Sequence, residues 1–102
     1  MFEGDEDVYT PPDAIEALAA AARVPILDTV VRTTGALALP STPTDQTPTS
    51  QNTVAWDGSM VSAGLMQFNG GGHFVIFDTP AAREAYVHFL SSAMEGTPEL
   101  ER

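Results

Sequence analysis

Cysteine and lysine are both absent from this chain of 102 residues. Without cysteine, disulfide bonds, thiolate nucleophiles and cysteine-based zinc sites are excluded, and the redox compartment stays undetermined. Fourteen Asp and Glu residues stand against four arginines, which gives a formal net charge of −10. Proteins bind nucleic acids and anionic membrane surfaces through Lys and Arg, so the sequence predicts neither as a partner.

Long apolar runs are also missing. No stretch of the sequence approaches the roughly 20 apolar residues with which a helix crosses a bilayer, so no membrane-spanning segment is predicted. The first residues, MFEGDED, are acidic and lack the basic and apolar regions of a signal peptide. The hydrophobic content of 43% is nevertheless typical of a folded protein, and the length suits one small domain.

Two segments predict helices. Residues 10–23, TPPDAIEALAAAAR, follow an acidic loop and begin with Thr10 as a candidate N-cap and Pro11 at the first helical position. Residues 79–96 begin with Thr79 and Pro80 and end at Gly96, which suits a left-handed C-cap. Both predictions depend on Pro and Gly as boundary residues.

Between the helices, the sequence predicts a loop, a hairpin and a strand. Residues 40–53, PSTPTDQTPTSQNT, predict an irregular loop, and the Asp57-Gly58 pair predicts a hairpin turn. The best strand candidate is residues 62–68, SAGLMQF, which lead directly into NGGGHF. The alternation of helix and strand indicates one edge of an α/β sheet.

His73, one of only two histidines, follows three glycines at the end of this predicted strand. Open α/β sheets place their catalytic loops at such positions, and glycine lets two backbones approach closely. Imidazole also suits proton transfer near neutral pH. We therefore take His73 as a candidate catalytic base. His88, within the second predicted helix, is expected to be an ordinary, partly exposed residue.

A histidine base needs a carboxylate that holds its tautomer, and position favours Asp7. Asp7 belongs to the spacing G-x-x-D-x-x-x-P, from Gly4 to Pro11, directly before the first predicted helix. Asp5 and Asp78 are rival candidates. We expect Asp5 to point into water and Asp78 to cap the last helix or to lie exposed near it.

The spacing G-x-x-D-x-x-x-P, a helix, and a later strand that ends in GGGHF resemble the C-terminal third of a bacterial α/β-hydrolase of the esterase or lipase type. The resemblance covers residues 1–35 and 60–95. It implies that residues 1–102 are a partial α/β-hydrolase domain with the last strand, acid loop, histidine loop and final helix, and an irregular Pro/Thr/Ser-rich insertion around 36–60. It also implies that Asp7 is the triad acid and His73 the triad histidine.

The nucleophile of that family, a serine in G-x-S-x-G, has no counterpart in this sequence. The resemblance therefore implies the C-terminal part of a serine hydrolase for carboxylic esters, which is inactive alone and requires the N-terminal part of its domain. It implies an ester substrate and no cofactor or metal. It is also compatible with secretion of the full-length form. The acyl group, the alcohol group and the location are not specified. The alternative is a small, non-enzymatic acidic α/β domain that binds a protein partner.

Overall fold

The computed structural model describes residues 1–32 and 44–102 of the chain. Its helices and strands, in chain order, are β1 (Phe2–Gly4), α1 (Pro12–Ala21), β2 (Ile26–Leu27), β3 (Thr44–Asp45), β4 (Thr49–Ser50), β5 (Thr53–Val54), β6 (Met60–Val61), β7 (Met66–Phe68), α2 (Val75–Asp78), α3 (Pro80–Glu95) and β8 (Glu99–Leu100). No helix in the described ranges is long and apolar enough to cross a bilayer.

Strand β7 lies between β1 and β2. It pairs in parallel with β1, with Met66 opposite Phe2 and Phe68 opposite Gly4. On its other side, the Leu65 amide donates to the Pro25 carbonyl, and the Leu27 amide donates to the Leu65 carbonyl. Residues Leu65 to Phe68 are all buried, as expected for a central strand. Because β1 and β7 are parallel neighbours, the loops that follow them leave the same edge.

The remaining strands form shorter pairs around this centre. β2 pairs in parallel with β3, whereas β4 pairs with β8 and β5 with β6 in antiparallel fashion. The hairpin predicted at Asp57-Gly58 is confirmed, with Gly58 at a φ of +87° between β5 and β6. The irregular loop predicted over 40–53 is wrong from residue 44 onward, because β3, β4 and the start of β5 lie there. Residues 40–43 lie outside the described residues.

The prediction of a C-terminal portion of an α/β-hydrolase sheet is wrong. The described residues form strands of two or three residues in mostly two-stranded sheets, parallel and antiparallel mixed, together with three helices. Prolines, glycines and polar residues interrupt each apolar run, so the hydrogen-bonded ladders end after two or three residue pairs. Residues 44–60 of the predicted insertion contain β3 to β5 and the first residue of β6, and 36–43 lie outside the described ranges.

The two long helices lie close to their predicted positions. α1 has Pro11 at the N-cap position and no side-chain cap, so the prediction of Thr10 as cap is wrong. α3 begins after Thr79 and ends at Gly96, whose φ of +114° confirms the predicted left-handed C-cap. α3 packs on the core through the small side chains of Ala82 and Ala85. The core side chains in contact with one another are Leu27, Met66, Phe68, Val75, Ala82, Ala85 and Leu100.

Candidate active site

The loops after β1 and β7 touch through two glycines. A Cβ atom at Gly4 would lie 2.1 Å from the carbonyl oxygen of Gly71, far inside van der Waals contact. A Cβ at Gly71 would lie 2.7 Å from Cγ2 of Val75. The Glu6 amide also donates to the Gly71 carbonyl at 2.9 Å. The two backbones are therefore in direct contact, and the site requires glycine at both positions.

The other two glycines of the run have different environments. Gly70 has a φ of +70°, a left-handed conformation that favours glycine, whereas a Cβ at Gly72 would have no neighbour within 4 Å. The Gly70 amide donates to Oδ1 of Asp5 at 2.6 Å. Asp5 was expected to point into water; instead, its carboxylate connects the acid loop to the glycine turn.

Asp7 and His73, the residues that the sequence predicts as an acid–base pair, lie together. His73 Nδ1 is 3.1 Å from Asp7 Oδ2. The other carboxylate oxygen of Asp7 accepts hydrogen bonds from the amides of Tyr9 at 2.8 Å and Thr10 at 3.0 Å. The Asp7 side chain is 5% exposed and the His73 side chain 39%. We call this pair the dyad.

The environment of Asp7 favours its ionised form. Burial opposes ionisation, but the amides of Thr10 and Tyr9 and the imidazole of His73 outweigh it and hold the pKa of Asp7 below its ordinary value. An ionised Asp7 can only accept, so Nδ1 of His73 carries the proton in this hydrogen bond. The neutral imidazole then has its lone pair on Nε2, the arrangement that a general base requires.

Two aromatic rings flank the imidazole. The Tyr9 ring lies 5.4 Å and the Phe74 ring 5.0 Å from it, between ring centroids. Both rings are largely exposed, and we call them the aromatic rim. Within the described part of the chain, Asp7 is the only hydrogen-bond partner of the His73 side chain. Sequence analysis overlooked the aromatic rim, although Phe74 directly follows His73 and Tyr9 closely follows Asp7. The rival acid Asp78 lies exposed at the end of α2.

A buried polar pair on β1 and β7 lies beneath the two loops. The Gln67 amide nitrogen donates to Glu3 Oε1 at 3.1 Å, and both side chains are fully buried. Oε1 of Gln67 accepts hydrogen bonds from the amides of Val31 and Arg32. Glu3 belongs to an acidic run that looks exposed in the sequence, so only the parallel pairing of β1 with β7 reveals its burial.

A second buried carboxylate lies next to Glu3. Glu16 of α1 is fully buried, with Oε1 3.0 Å from Nε of Arg32. Burial, together with the negative charge of Glu16, raises the pKa of Glu3 to about 7. Burial also raises the pKa of Glu16, although Arg32 opposes this effect. Oε2 of Glu3 has no hydrogen-bond partner among the described residues. Below about pH 7 the cluster therefore favours a protonated Glu3 in the folded protein.

One group of three side chains in the described ranges could hold a metal ion. The candidate ligand atoms of His88, Glu99 and Glu101 all lie within 4.8 Å of one another. His88 belongs to α3, Glu99 to β8, and Glu101 follows β8, so this group is separate from the dyad loops. Its two carboxylates both approach the imidazole ring of His88.

The dyad has the acid, the histidine and the proton on Nδ1 that an acid–base site needs. Asp7 lies on the loop after β1 and His73 on the loop after β7, and these two strands pair in parallel. Function is determined by such sites more than by overall fold. Comparison of the chain with models of protein families, with curated proteins and with solved structures found no match.

Proposed function

We propose that Asp7 and His73 are the acid and the histidine of a serine-type site that hydrolyses carboxylic esters. The observation that supports this most is the 3.1 Å contact between Nδ1 of His73 and the buried carboxylate of Asp7. The chain order, acid before histidine, also fits the triad order of serine esterases. In this proposal, the nucleophilic hydroxyl comes from outside the described residues.

Each half of the dyad has a defined task in this reaction. Asp7 holds the imidazole with its proton on Nδ1 and stabilises the imidazolium ion. His73 takes the proton of the attacking hydroxyl at Nε2 and later gives it to the leaving alcohol. The amides of Tyr9 and Thr10 fix the Asp7 carboxylate, so it does not have to reorganise when the imidazole becomes charged.

The exposure of His73 separates this proposal from a purely structural histidine. A structural histidine in a core satisfies both ring nitrogens with protein groups. Here Nδ1 is held by Asp7, whereas the side chain remains 39% exposed. The exposed rings of the aromatic rim offer a surface for the acyl part of an ester beside the imidazole.

An ester assay tests this proposal, with a small acidic alcohol added in place of the serine nucleophile. We expect the purified chain to release no burst of p-nitrophenolate from p-nitrophenyl acetate, because the sequence has no G-x-S-x-G motif and no serine of the described residues contacts His73. With added trifluoroethanol, we expect catalysed formation of trifluoroethyl acetate, measured by mass spectrometry. His73→Gln and Asp7→Asn should each lower this rate severalfold. This loss of rate should stay below the roughly hundredfold or greater contribution of a general base in a complete active site, because the added alcohol is not held in place.

The control for Asp7→Asn is Asp78→Asn, which removes the same charge from an exposed position after His73. This variant should keep the full alcoholysis rate. Nitrogen chemical shifts of the imidazole provide a second readout: His73 should carry its proton on Nδ1, and Asp7→Asn should alter this tautomer preference. If His73→Gln matches the wild-type rate, the dyad is not a catalytic base, and the alternative of a non-enzymatic, protein-binding domain is favoured.

A further inference from the structure

The chain after α3 brings two carboxylates to the side of the helix. Gly96 ends α3, and β8 then runs back so that Glu99 and Glu101, two residues apart, share one face of the extended segment. Ser92 fixes this return: its hydroxyl donates to the His88 carbonyl at 2.9 Å and accepts from the Glu99 amide at 2.8 Å. The placement of both carboxylates beside His88 is thus part of the fold.

Two carboxylates lie against the imidazole ring of His88. Nε2 is 3.0 Å from Oε2 of Glu99, and Nδ1 is 3.4 Å from Oε2 of Glu101. A neutral imidazole has one N–H and can donate to only one of these carboxylates. The lone pair of the other ring nitrogen and the carboxylate oxygens can bind a metal ion, and the candidate ligand atoms of the three side chains all lie within 4.8 Å of one another. From this geometry we propose that His88, Glu99 and Glu101 bind a divalent transition-metal ion of the Zn²⁺ type.

The donor set and the spacing fit such an ion. Tetrahedral Zn²⁺ holds imidazole nitrogen and carboxylate oxygen at about 2.0–2.2 Å, which puts neighbouring ligand atoms about 3.3–3.5 Å apart. The 3.0 Å contact between Nε2 and Glu99 is close to this spacing. With the metal on Nε2, Glu101 has to turn away from Nδ1, and its side chain is 53% exposed and free to do so. A nitrogen ligand also favours Zn²⁺ over Mg²⁺ or Ca²⁺, which prefer oxygen.

An open cleft lies on the Glu101 side of this group. A cleft of about 320 Å³ lies beside His88 and Glu101 and is also lined by Glu84, which is one helical turn before His88. Arg102, the positive charge in this cleft, donates to the carbonyls of Thr29 and Gln67. Its guanidinium also stacks on the Phe68 ring at 4.7 Å. Arg102 is thus held by other groups, and Glu84 adds negative charge that attracts a cation.

Calorimetric titration of the full chain with ZnCl₂ at neutral pH tests this site. We expect one saturable Zn²⁺ site per chain and no comparable binding of Mg²⁺ or Ca²⁺. Co²⁺ bound at the same site should show the visible absorption bands of an ion with few ligands. His88→Gln and Glu99→Gln should each weaken Zn²⁺ binding at least about tenfold, since even outer-shell substitutions cost that much. Glu101→Gln should weaken it as well, and its exposed position keeps this variant informative if the others fail to fold.

Two matched variants locate the ion. His73→Gln removes the other histidine, and Glu6→Gln removes an exposed acid elsewhere; both should keep the Zn²⁺ affinity of the wild type. Circular dichroism confirms that each variant is folded. The proposal is overturned if the chain shows no saturable Zn²⁺ binding, or if His88→Gln and Glu101→Gln bind as tightly as wild type. In the first case the three side chains form no metal site; in the second the ion lies elsewhere.

Discussion

Replacement of Gly4 by alanine is expected to lower the free energy of unfolding by more than about 3 kcal/mol, the upper part of the range for overpacked sites. The new methyl group would lie 2.1 Å from the Gly71 carbonyl oxygen, and the obstacle is backbone, which cannot rotate away. The loop after β7 must then move off β1, at the expense of the hydrogen bond from the Glu6 amide to Gly71. Urea unfolding followed by circular dichroism measures the loss.

The glycine run provides its own control for this prediction. Gly71→Ala should also destabilise the protein, because its Cβ would meet Cγ2 of Val75 at 2.7 Å. Gly72→Ala has no neighbour within 4 Å and no positive φ, so its unfolding free energy should equal that of wild type or slightly exceed it. Equal stabilities of Gly4→Ala and Gly72→Ala would show that the two loops are not in the contact described above.

The same displacement should also change the dyad. Asp7 and His73 belong to the two loops that meet at Gly4 and Gly71, so separation of the loops lengthens the hydrogen bond between Asp7 and Nδ1 of His73. In Gly4→Ala protein that remains folded, the Nδ1 tautomer of His73 should be lost in nitrogen spectra. In Gly72→Ala it should be retained. This separates an effect on the site from a loss of stability alone.

Glu3→Gln is expected to stabilise the protein at pH 8 by on the order of 3 kcal/mol. Burial and Glu16 raise the pKa of Glu3 from 4.5 to about 7 in the folded protein, and each pH unit of difference corresponds to roughly 1.4 kcal/mol. Ionisation of Glu3 thus favours the unfolded chain, where the carboxylate is hydrated. Glutamine stays neutral and keeps an oxygen for the Gln67 amide.

The raised pKa of Glu3 predicts how the free energy of unfolding of the wild type depends on pH. Below about pH 4.5 Glu3 is protonated in both states, so it contributes no pH dependence there. Between about 4.5 and 7 the unfolded chain releases its proton first, and wild-type stability falls as the pH rises. Above about 7 the loss is complete and the Glu3 contribution levels off.

Urea midpoints measured across this pH range for wild type and for Glu3→Gln test the profile. The difference between the two proteins should grow from pH 4.5 to 7 and then stay constant. Glu6→Gln, which removes an exposed acid three residues further along the chain, is the control and should follow the wild-type profile closely. A Glu3→Gln protein that is less stable than wild type at pH 8 would show that the ionised carboxylate is favourable in the folded chain.

The sequence was most informative where one residue restricts its own backbone. Pro80 and Gly96 indicate the ends of α3 almost to the residue, because proline fixes φ and glycine adopts the left-handed C-cap. Asp57-Gly58 indicates the hairpin turn for the same reason. Asp7 was also predicted as the partner of His73, from its loop position and from the resemblance to α/β-hydrolases, although the hydrolase sheet expected around the pair was wrong.

Local pattern could not predict features that depend on distant segments. Glu3 reads as part of a solvated acidic run, yet it is fully buried because β1 pairs with β7, with the Gln67 side chain 64 positions along the chain as its partner. His88 was expected to be an ordinary helix residue, and only the return of β8 brings Glu99 and Glu101 to its ring. The three adjacent glycines look alike in the sequence, but the backbone carbonyls of Gly71 and Gly72 lie against Gly4, whereas Gly70 has the left-handed φ of +70°.

The sequence by itself therefore determined both ends of α3 and the hairpin turn, because these depend on backbone restrictions carried within short segments, and it predicted Asp7 and His73 as candidate catalytic residues. The tertiary structure decided the short, mixed strand pairs, the buried carboxylates and the cluster around His88. Burial and charge proximity are properties of packed surfaces, and packing brings together residues whose separation along the chain leaves no local trace.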